Sequence, residues 1–424
     1  MGKLLLNDIR LDNRKTDILI DGNKIEDIAD FIPESAADKV IDCHGMAAIP
    51  GLVNMHTHAA MTLTRGFRKE NLQAWLQYIW AYEAFLDSEA IYWGNKLAIL
   101  EMLKTGTTTF LDMYWWVPVA AKAVEEMGIR ACLTHTFLEG GDPAKAEAQK
   151  RELAQVMEMS KDWPERIKLG ISIHADYTNS EDTMLWAGKF ARDHGMILHA
   201  HVAETEHEMR EDIEKFGCLP VQHFENLGLI DENFIAAHSV WINEDDIQTL
   251  GRRRATVVHN VNSNLMLGSG YKFKYNELRD AGANVCIGTD GAGSSDNLDL
   301  REALKTTMIL QKAWRRDPQA MPYEEAMTVA TEHGAKALGF NAGRIEKGAL
   351  ADIVLVDTRS EAFVPDFNFN SNLILAANSS CFDTVICDGK IVMEHRHVPG
   401  EEEILIKAQE HADRIMSIMK NSKK

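Results

Sequence analysis

The chain contains no Cys-x-x-Cys pair. Its six cysteines (Cys43, Cys132, Cys218, Cys286, Cys381, Cys387) are scattered through 424 residues. That spacing excludes a disulfide framework and leaves small buried side chains in a reducing compartment. No run of about eighteen apolar residues occurs, so no segment is expected to span a membrane. The first segment, MGKLLLNDIRLDNRKTD, has too short an apolar stretch for a secretory signal. The expected location is the cytoplasm. Positive charge is also in deficit: 45 basic residues face 64 acidic ones, a net charge of −19. A field of that sign repels phosphate backbones and anionic membrane surfaces, so neither nucleic acid nor membrane is an expected partner. Internal repeats and low-complexity runs are missing as well.

What is present is ordinary globular material, 45% hydrophobic, in a chain long enough to bury a large core without disulfides. The first fifty residues read as short strands divided by turns such as Asp21-Gly22-Asn23. The same texture returns in GRIEKGALADIVLVD and FDTVICDGKIVMEHRHV. Two β-rich ends predict one small β-sandwich domain built from residues 1–50 and 345–398. Between them, over residues 51–344, eight strand candidates alternate with helices such as SEAIYWGNKLAILEMLKTG. That alternation predicts a closed (β/α)8 barrel. An open doubly wound sheet is the competitor, but no GxGxxG turn follows the first strand. Residues 399–424 read as an amphipathic C-terminal helix.

Titratable residues collect at the ends of the predicted strands. His56 and His58 close the first strand in PGLVNMHTH, and residues two apart share a strand face. His174, His201, His238, His259 and Asp290 close strands four to eight. In a barrel those ends form the mouth where active sites lie. His56, His58, His201 and Asp290 offer three nitrogens and an oxygen to one divalent metal ion, zinc in the first place and iron or manganese as alternatives. Glu204, three residues after His201, is within reach of a water at such a centre. His199 shares a face with His201 and is expected to be a packed barrel residue. The pair Trp115-Trp116 is either a ring-stacking wall or a loop anchor.

The ordered motifs PGLVNMHTH, HVAETEHE, AAHSVW, VVHNVNSNLMLGSG and IGTDGAGSSDNLDL resemble the amidohydrolase superfamily. The resemblance covers nearly the whole chain. It lies in the branch of cytosine and adenosine-type deaminases and triazine chlorohydrolases, with the best match to methylthioadenosine / S-adenosylhomocysteine deaminases. It implies a metal-dependent hydrolytic deaminase with His56, His58, His201 and Asp290 as metal ligands. It implies Glu204 as proton shuttle and His238 as the group polarising water or substrate, with Asp290 sharing in proton transfer. Trp75, Glu83 and His174 fall at substrate-contact positions, and Glu204 and His238 would also face the substrate. Lys168 is at the wrong end of strand four to bridge two metals, so one ion is expected. The HxE…PCxxC deaminase pattern is absent.

The pattern departs from the family at Gln73, where the resemblance implies an acidic ribose contact. It departs again at His135, where an arginine would hold an amino-acid carboxylate, and at Val261. His135 is therefore assigned to the substrate pocket with a weakened affinity for a homocysteine tail. The expected substrates are 5′-methylthioadenosine, S-adenosylhomocysteine or 5′-deoxyadenosine. A triazine chlorohydrolase, a free nucleobase or pterin aminohydrolase, and a non-catalytic ligand-binding barrel are the competing readings. A homo-oligomer is compatible with the sequence.

Overall fold

The computed structural model describes residues 2–68 and 71–422. Eight parallel strands run in chain order around a barrel: β1 (Leu52–Thr57), β2 (Thr107–Tyr114), β3 (Arg130–Phe137), β4 (Ile167–Ile173), β5 (Leu198–Val202), β6 (Phe234–His238), β7 (Thr256–His259) and β8 (Asn284–Ile287). The seam between β8 and β1 is closed partly by side chains. Asn54 accepts from the Thr289 amide (3.0 Å) and donates to the Thr289 hydroxyl (2.7 Å). The Asp290 amide donates to the His56 carbonyl (2.9 Å), which ties the last strand-end residue directly to the first.

Helices between the strands start and stop where local chemistry dictates. Helix α1 (Ser88–Lys104) is capped by Asp87, whose carboxylate accepts from the Ala90 amide. The helix Val117–Met127 ends at Gly128, which takes the left-handed conformation (φ 78°) that favours glycine. Ala120, Val124, Leu153 and Val156 of the helical layer pack on Ala131, Leu133 and Phe137 of β3.

The two ends of the chain do join. Strands Leu4–Leu11, Arg14–Asp21, Lys24–Ala29, Lys39–Asp42, Met46–Pro50, Ile353–Asp357, Phe382–Cys387 and Lys390–Met393 form one hydrogen-bonded eight-stranded sheet, separate from the barrel. Alternation divides its faces. Ala48, Ile353, Leu355 and Ile386 belong to the sheet's own core with Leu6, Ile9 and Ile18, whereas Ala47, Ile49, Val354, Val356 and Val385 join the main barrel core. A buried ion pair fastens the two parts: Arg130 of β3 donates to both oxygens of Asp352 (2.7 and 3.0 Å) and to Asp388 (3.1 Å).

The C-terminal helix, Glu401–Ser422, lays Ala408, Ile415 and Met419 against Leu63 and Tyr82. The expected last two residues of that helix, 423 and 424, lie outside the described residues. All six cysteines are free, five of them buried. No helix among the described residues is long and apolar enough to cross a membrane.

Candidate metal centre and active site

The β1 pair, the β5 histidine and the aspartate after β8 converge at the C-terminal mouth of the barrel. His56 Nε2 and His58 Nε2 lie 3.5 and 3.3 Å from Asp290 Oδ1, and His201 Nε2 lies 3.3 Å from His58 Nε2. One donor atom each of His56, His58 and His201 falls within 4.8 Å of the others, as do those of His56, His238 and Asp290.

The opposite ring nitrogens show which way the lone pairs point. His58 Nδ1 donates to the Met113 carbonyl (2.6 Å) and His201 Nδ1 to the His174 carbonyl (2.7 Å). Each neutral ring therefore keeps an unprotonated Nε2 for the centre. His56 is fixed through a relay. His199 Nδ1 donates to the Ile235 carbonyl (2.8 Å), so its Nε2 accepts from His56 Nδ1 (2.8 Å). The proton on His56 Nδ1 leaves Nε2 bare, and that buried nitrogen has no hydrogen-bond partner. An orphaned buried imidazole nitrogen beside two more and a carboxylate is the donor set of a tetrahedral or five-coordinate divalent ion. The residues fit the metal that the sequence led one to expect.

Burial keeps the rings neutral. It lowers His56, pushes His201 well below the usual imidazole range, and brings His174 and His238 to about 3. Burial opposes ionisation of Asp290, but the imidazoles crowded around it, His56 first and then His58 and His238, win and hold its carboxyl well below the usual range. Glu204 goes the other way: burial, then the negative charge of Asp290, raises it well above.

Glu204 is placed by the helix that follows it, α2 (Glu206–Phe216). Thr205 caps that helix and Glu208 completes the capping box. Glu208 also accepts from the amides of Ala203 (2.6 Å) and Glu204 (2.8 Å), so the turn holding Glu204 is bonded from inside the helix. Glu204 Oε2 lies 3.8 Å from His238 Nε2, and its other oxygen accepts from the Ser269 hydroxyl (3.4 Å). Asn264 donates to His238 Nδ1 (3.0 Å), which leaves the His238 proton on Nε2, facing Glu204 and Asp290. His238 and Asp290 both sit at positive φ (72° and 63°), sparsely populated for such residues and tolerated at functional sites.

Above the centre lies a cleft. His58, His201, Glu204, His238 and Asp290 form its floor, and Trp75, Trp80, Tyr114, Trp115 and Tyr177 its walls. Trp75 donates to the Gly293 carbonyl (3.2 Å). Glu83 lines the cleft and accepts from the Tyr114 hydroxyl (2.5 Å); burial raises its carboxyl to about 7. His174 lines it too, with its Nδ1 3.2 Å from the Thr178 hydroxyl. Trp115 is a wall, whereas Trp116 is exposed.

One expected pocket residue is not there. Thr134 and Thr136 of β3 turn inward to the Ser172 hydroxyl (2.8 and 2.9 Å), so His135 between them turns outward. Its ring packs edge-on against Phe137 (5.3 Å) and its Nε2 is buried without a partner. The assignment of His135 to the substrate pocket is corrected accordingly. Conversely, Tyr114, Trp80, Tyr177, Asn264 and Asp112 were not expected. Asp112 accepts from the Ala59 amide (2.7 Å) and the Thr57 hydroxyl (3.0 Å), which pins the turn carrying His58. A polar residue near the end of β2 was the one available signal for it.

Comparisons with known proteins agree with this geometry. Residues 47–392 match the model of the amidohydrolase family. The chain is 41% identical over 420 residues to a 5′-deoxyadenosine deaminase of Methanoregula boonei, covering 97% of this chain and 95% of that protein. It is 40% identical to a 5-methylthioadenosine/S-adenosylhomocysteine deaminase of Thermococcus sibiricus over 89% of this chain and 90% of the relative. Among solved structures, an adenosine deaminase from Xanthomonas campestris with bound zinc superposes with a TM-score of 0.91 at 28% identity, covering 98% of both chains. A triazine hydrolase from Arthrobacter aurescens shares the fold (TM-score 0.89, 21% identity, 97% of this chain and 100% of that one). With the match running from the last strand before the barrel to the last strand after it, and with relatives alike nearly end to end, the chain belongs to the amidohydrolase family.

Proposed function

We propose that this protein hydrolytically deaminates an adenosine-type nucleoside whose 5′ substituent is small and uncharged, such as 5′-deoxyadenosine or 5′-methylthioadenosine, releasing ammonia. The observation that carries the reading is the pairing of Glu204 and the His238 Nε2–H, 3.8 Å apart, over a centre of three imidazoles and a carboxylate. The curated relatives carry deaminase names, which supports the same chemistry.

The ion is proposed to be zinc, held by His56, His58, His201 and Asp290. When bound, such an ion supplies Lewis acidity and a water acidified to about neutral pKa. The chain's own groups do the rest. Glu204, kept protonated by burial, delivers its proton to the ring nitrogen beside the amino-bearing carbon. Protonation makes that carbon electrophilic. Asp290, held ionised, takes a proton from the attacking water and passes it to the departing amine. The His238 Nε2–H donates to the oxygen as negative charge grows on it. Trp75, Trp80 and Trp115 wall the heterocycle and exclude bulk water, while Glu83 and His174 serve as polar contacts to the sugar and ring.

The cleft also supports a choice of 5′ group. Among the described residues lining it none is lysine or arginine. An amino-acid carboxylate entering there would lose water without gaining a cation. The expected order is 5′-deoxyadenosine and 5′-methylthioadenosine ahead of S-adenosylhomocysteine in kcat/KM. The test is ammonia release, with the absorbance change of inosine formation, from zinc-loaded protein offered purine nucleosides, pterins and chlorotriazines. Release of chloride from a triazine with no ammonia from any nucleoside would overturn the assignment. For the ligands, Asp290→Asn and His201→Ala are expected to lower metal content by elemental analysis, and full occupancy in both would remove them from the centre.

A further inference from the structure

A second group of donors lies away from the cleft floor. Asp176 opens the single helical turn Asp176–Thr178 after β4, Asp212 lies on α2, and His223 lies on α3 (Pro220–Asn226). Asp176 and Asp212 are fully buried and His223 is 3% exposed. One donor atom of each falls within 4.8 Å of the other two, the same closeness found in the catalytic cluster.

Hydrogen bonding leaves this group unsatisfied. Among the described residues no other group donates to either oxygen of Asp212 or to Asp176 Oδ1, so at these oxygens the two carboxyls meet only each other. Glu208, one turn earlier on the same helix, shows the contrast: its oxygens accept from the backbone amides of residues 203–205. His223 is poised between two carboxylates, with Nδ1 3.3 Å from Asp176 Oδ2 and Nε2 3.3 Å from Glu181 Oε1. A neutral imidazole has one N–H, so one carboxylate must face a lone pair unless a positive charge intervenes. Stacking on Phe216 (3.7 Å between centroids) fixes the ring plane. Lys215 sends its ammonium over the Phe216 ring (4.6 Å) and makes no ion pair with these carboxylates.

We propose that Asp176, Asp212 and His223 bind a second divalent cation, structural in role and distinct from the catalytic one. Two carboxylate oxygens and one imidazole nitrogen suit zinc, manganese or ferrous iron better than calcium or magnesium, which prefer oxygen alone. Glu181 accepts the His223 Nε2–H, orients the ring, and turns the Nδ1 lone pair toward the ion. Burial and the neighbouring Asp176 push the Asp212 carboxyl up to about 10, so the cation displaces a proton on binding. The ion would tie the turn bearing Tyr177, a wall of the cleft, to α2, whose first turn holds Glu204.

The test uses the full-length protein, stripped with a chelator and reloaded with zinc or manganese salts. Elemental analysis is expected to find about two equivalents in the wild type, and about one in Asp212→Asn and in His223→Gln. Asparagine copies the shape and charge of a protonated Asp212, so this variant should fold. Anomalous scattering at the metal edge should place a second peak among the three side chains. One equivalent in the wild type, or a second peak elsewhere, overturns the proposal. Equal metal content in wild type and both variants overturns it too, and means that the carboxyls share protons instead. Because the readout is stoichiometry and position, failure here leaves the deaminase reading untouched, and a failed deaminase assay leaves this site untouched.

Discussion

Replacing Glu204 by glutamine isolates proton transfer from every other property of the site. The side chain is 5% exposed, hydrogen-bonded among the described residues through the Ser269 hydroxyl, and 3.8 Å from His238. It is not one of the metal donors. Glutamine keeps its volume and can still accept from Ser269, but cannot deliver a proton. A positioned acid contributes roughly 10²–10⁴-fold, which corresponds to about 3–5 kcal/mol of barrier. Turnover of 5′-deoxyadenosine by Glu204→Gln should therefore fall at least about a hundredfold. Metal content should not change. Nor should thermal stability fall, because the raised pKa of Glu204 means that the folded state binds its proton more tightly than the unfolded chain does. Stability from this group is present below the unfolded carboxylate pKa and is lost as pH rises through the folded one. Glutamine has no proton to lose, so the variant should match or exceed the wild type on the alkaline side. The assays are steady-state ammonia release, elemental analysis and thermal melts on the same preparation. Turnover within about threefold of wild type, with metal retained, would refute the role given to Glu204.

The remaining expectations concern groups that act through neighbours. His199→Phe removes the acceptor that holds the proton on His56 Nδ1, so metal affinity should weaken by about 10–100-fold in chelator competition, and unchanged affinity would break the relay. Burial raises the Glu83 carboxyl to about 7, and in its proposed role it accepts from the sugar as a carboxylate, so kcat/KM for a nucleoside should decline as pH drops below that value. Glu83→Gln should erase this limb of the profile, and its persistence would assign the limb elsewhere. Arg130→Met strands the buried Asp352 without its cation and should cost about 3–5 kcal/mol in chemical denaturation, whereas a loss under about 1 kcal/mol would show that water or Asp388 rearrangement relieves the charge.

The convergence of the candidate metal donors was legible because their signal is local and repeated. His56 and His58 are two apart on one strand, and His201 and Asp290 stand at corresponding ends of other strands, so the pleat and the barrel rule suffice to aim them together. His135 was misplaced by the same rule's blind spot. Every residue of Arg130–Phe137 is buried, because the barrel interior covers one face of β3 and the helical layer the other. Such a strand shows no contrast between an apolar and a polar face, and the sequence offers no phase to tell inward from outward. Only the Thr134 and Thr136 bonds to Ser172, a residue of the next strand, set that phase. The aromatic walls were hidden for a different reason. Tyr114, Trp80 and Tyr177 come from a strand end, a helix and a short turn, and what unites them is packing over the mouth rather than any spacing. The buried trio of Asp176, Asp212 and His223 belongs with the walls in this respect, since its members share no motif. Its strained hydrogen bonding is a property of the folded chain alone. What the sequence conveys is thus the part of the chemistry carried by regular elements, and what it withholds is the part assembled between them. On the proposed reading substrate choice depends on the walls more than on the donors, which is why the sequence speaks to the reaction class before it speaks to the 5′ group.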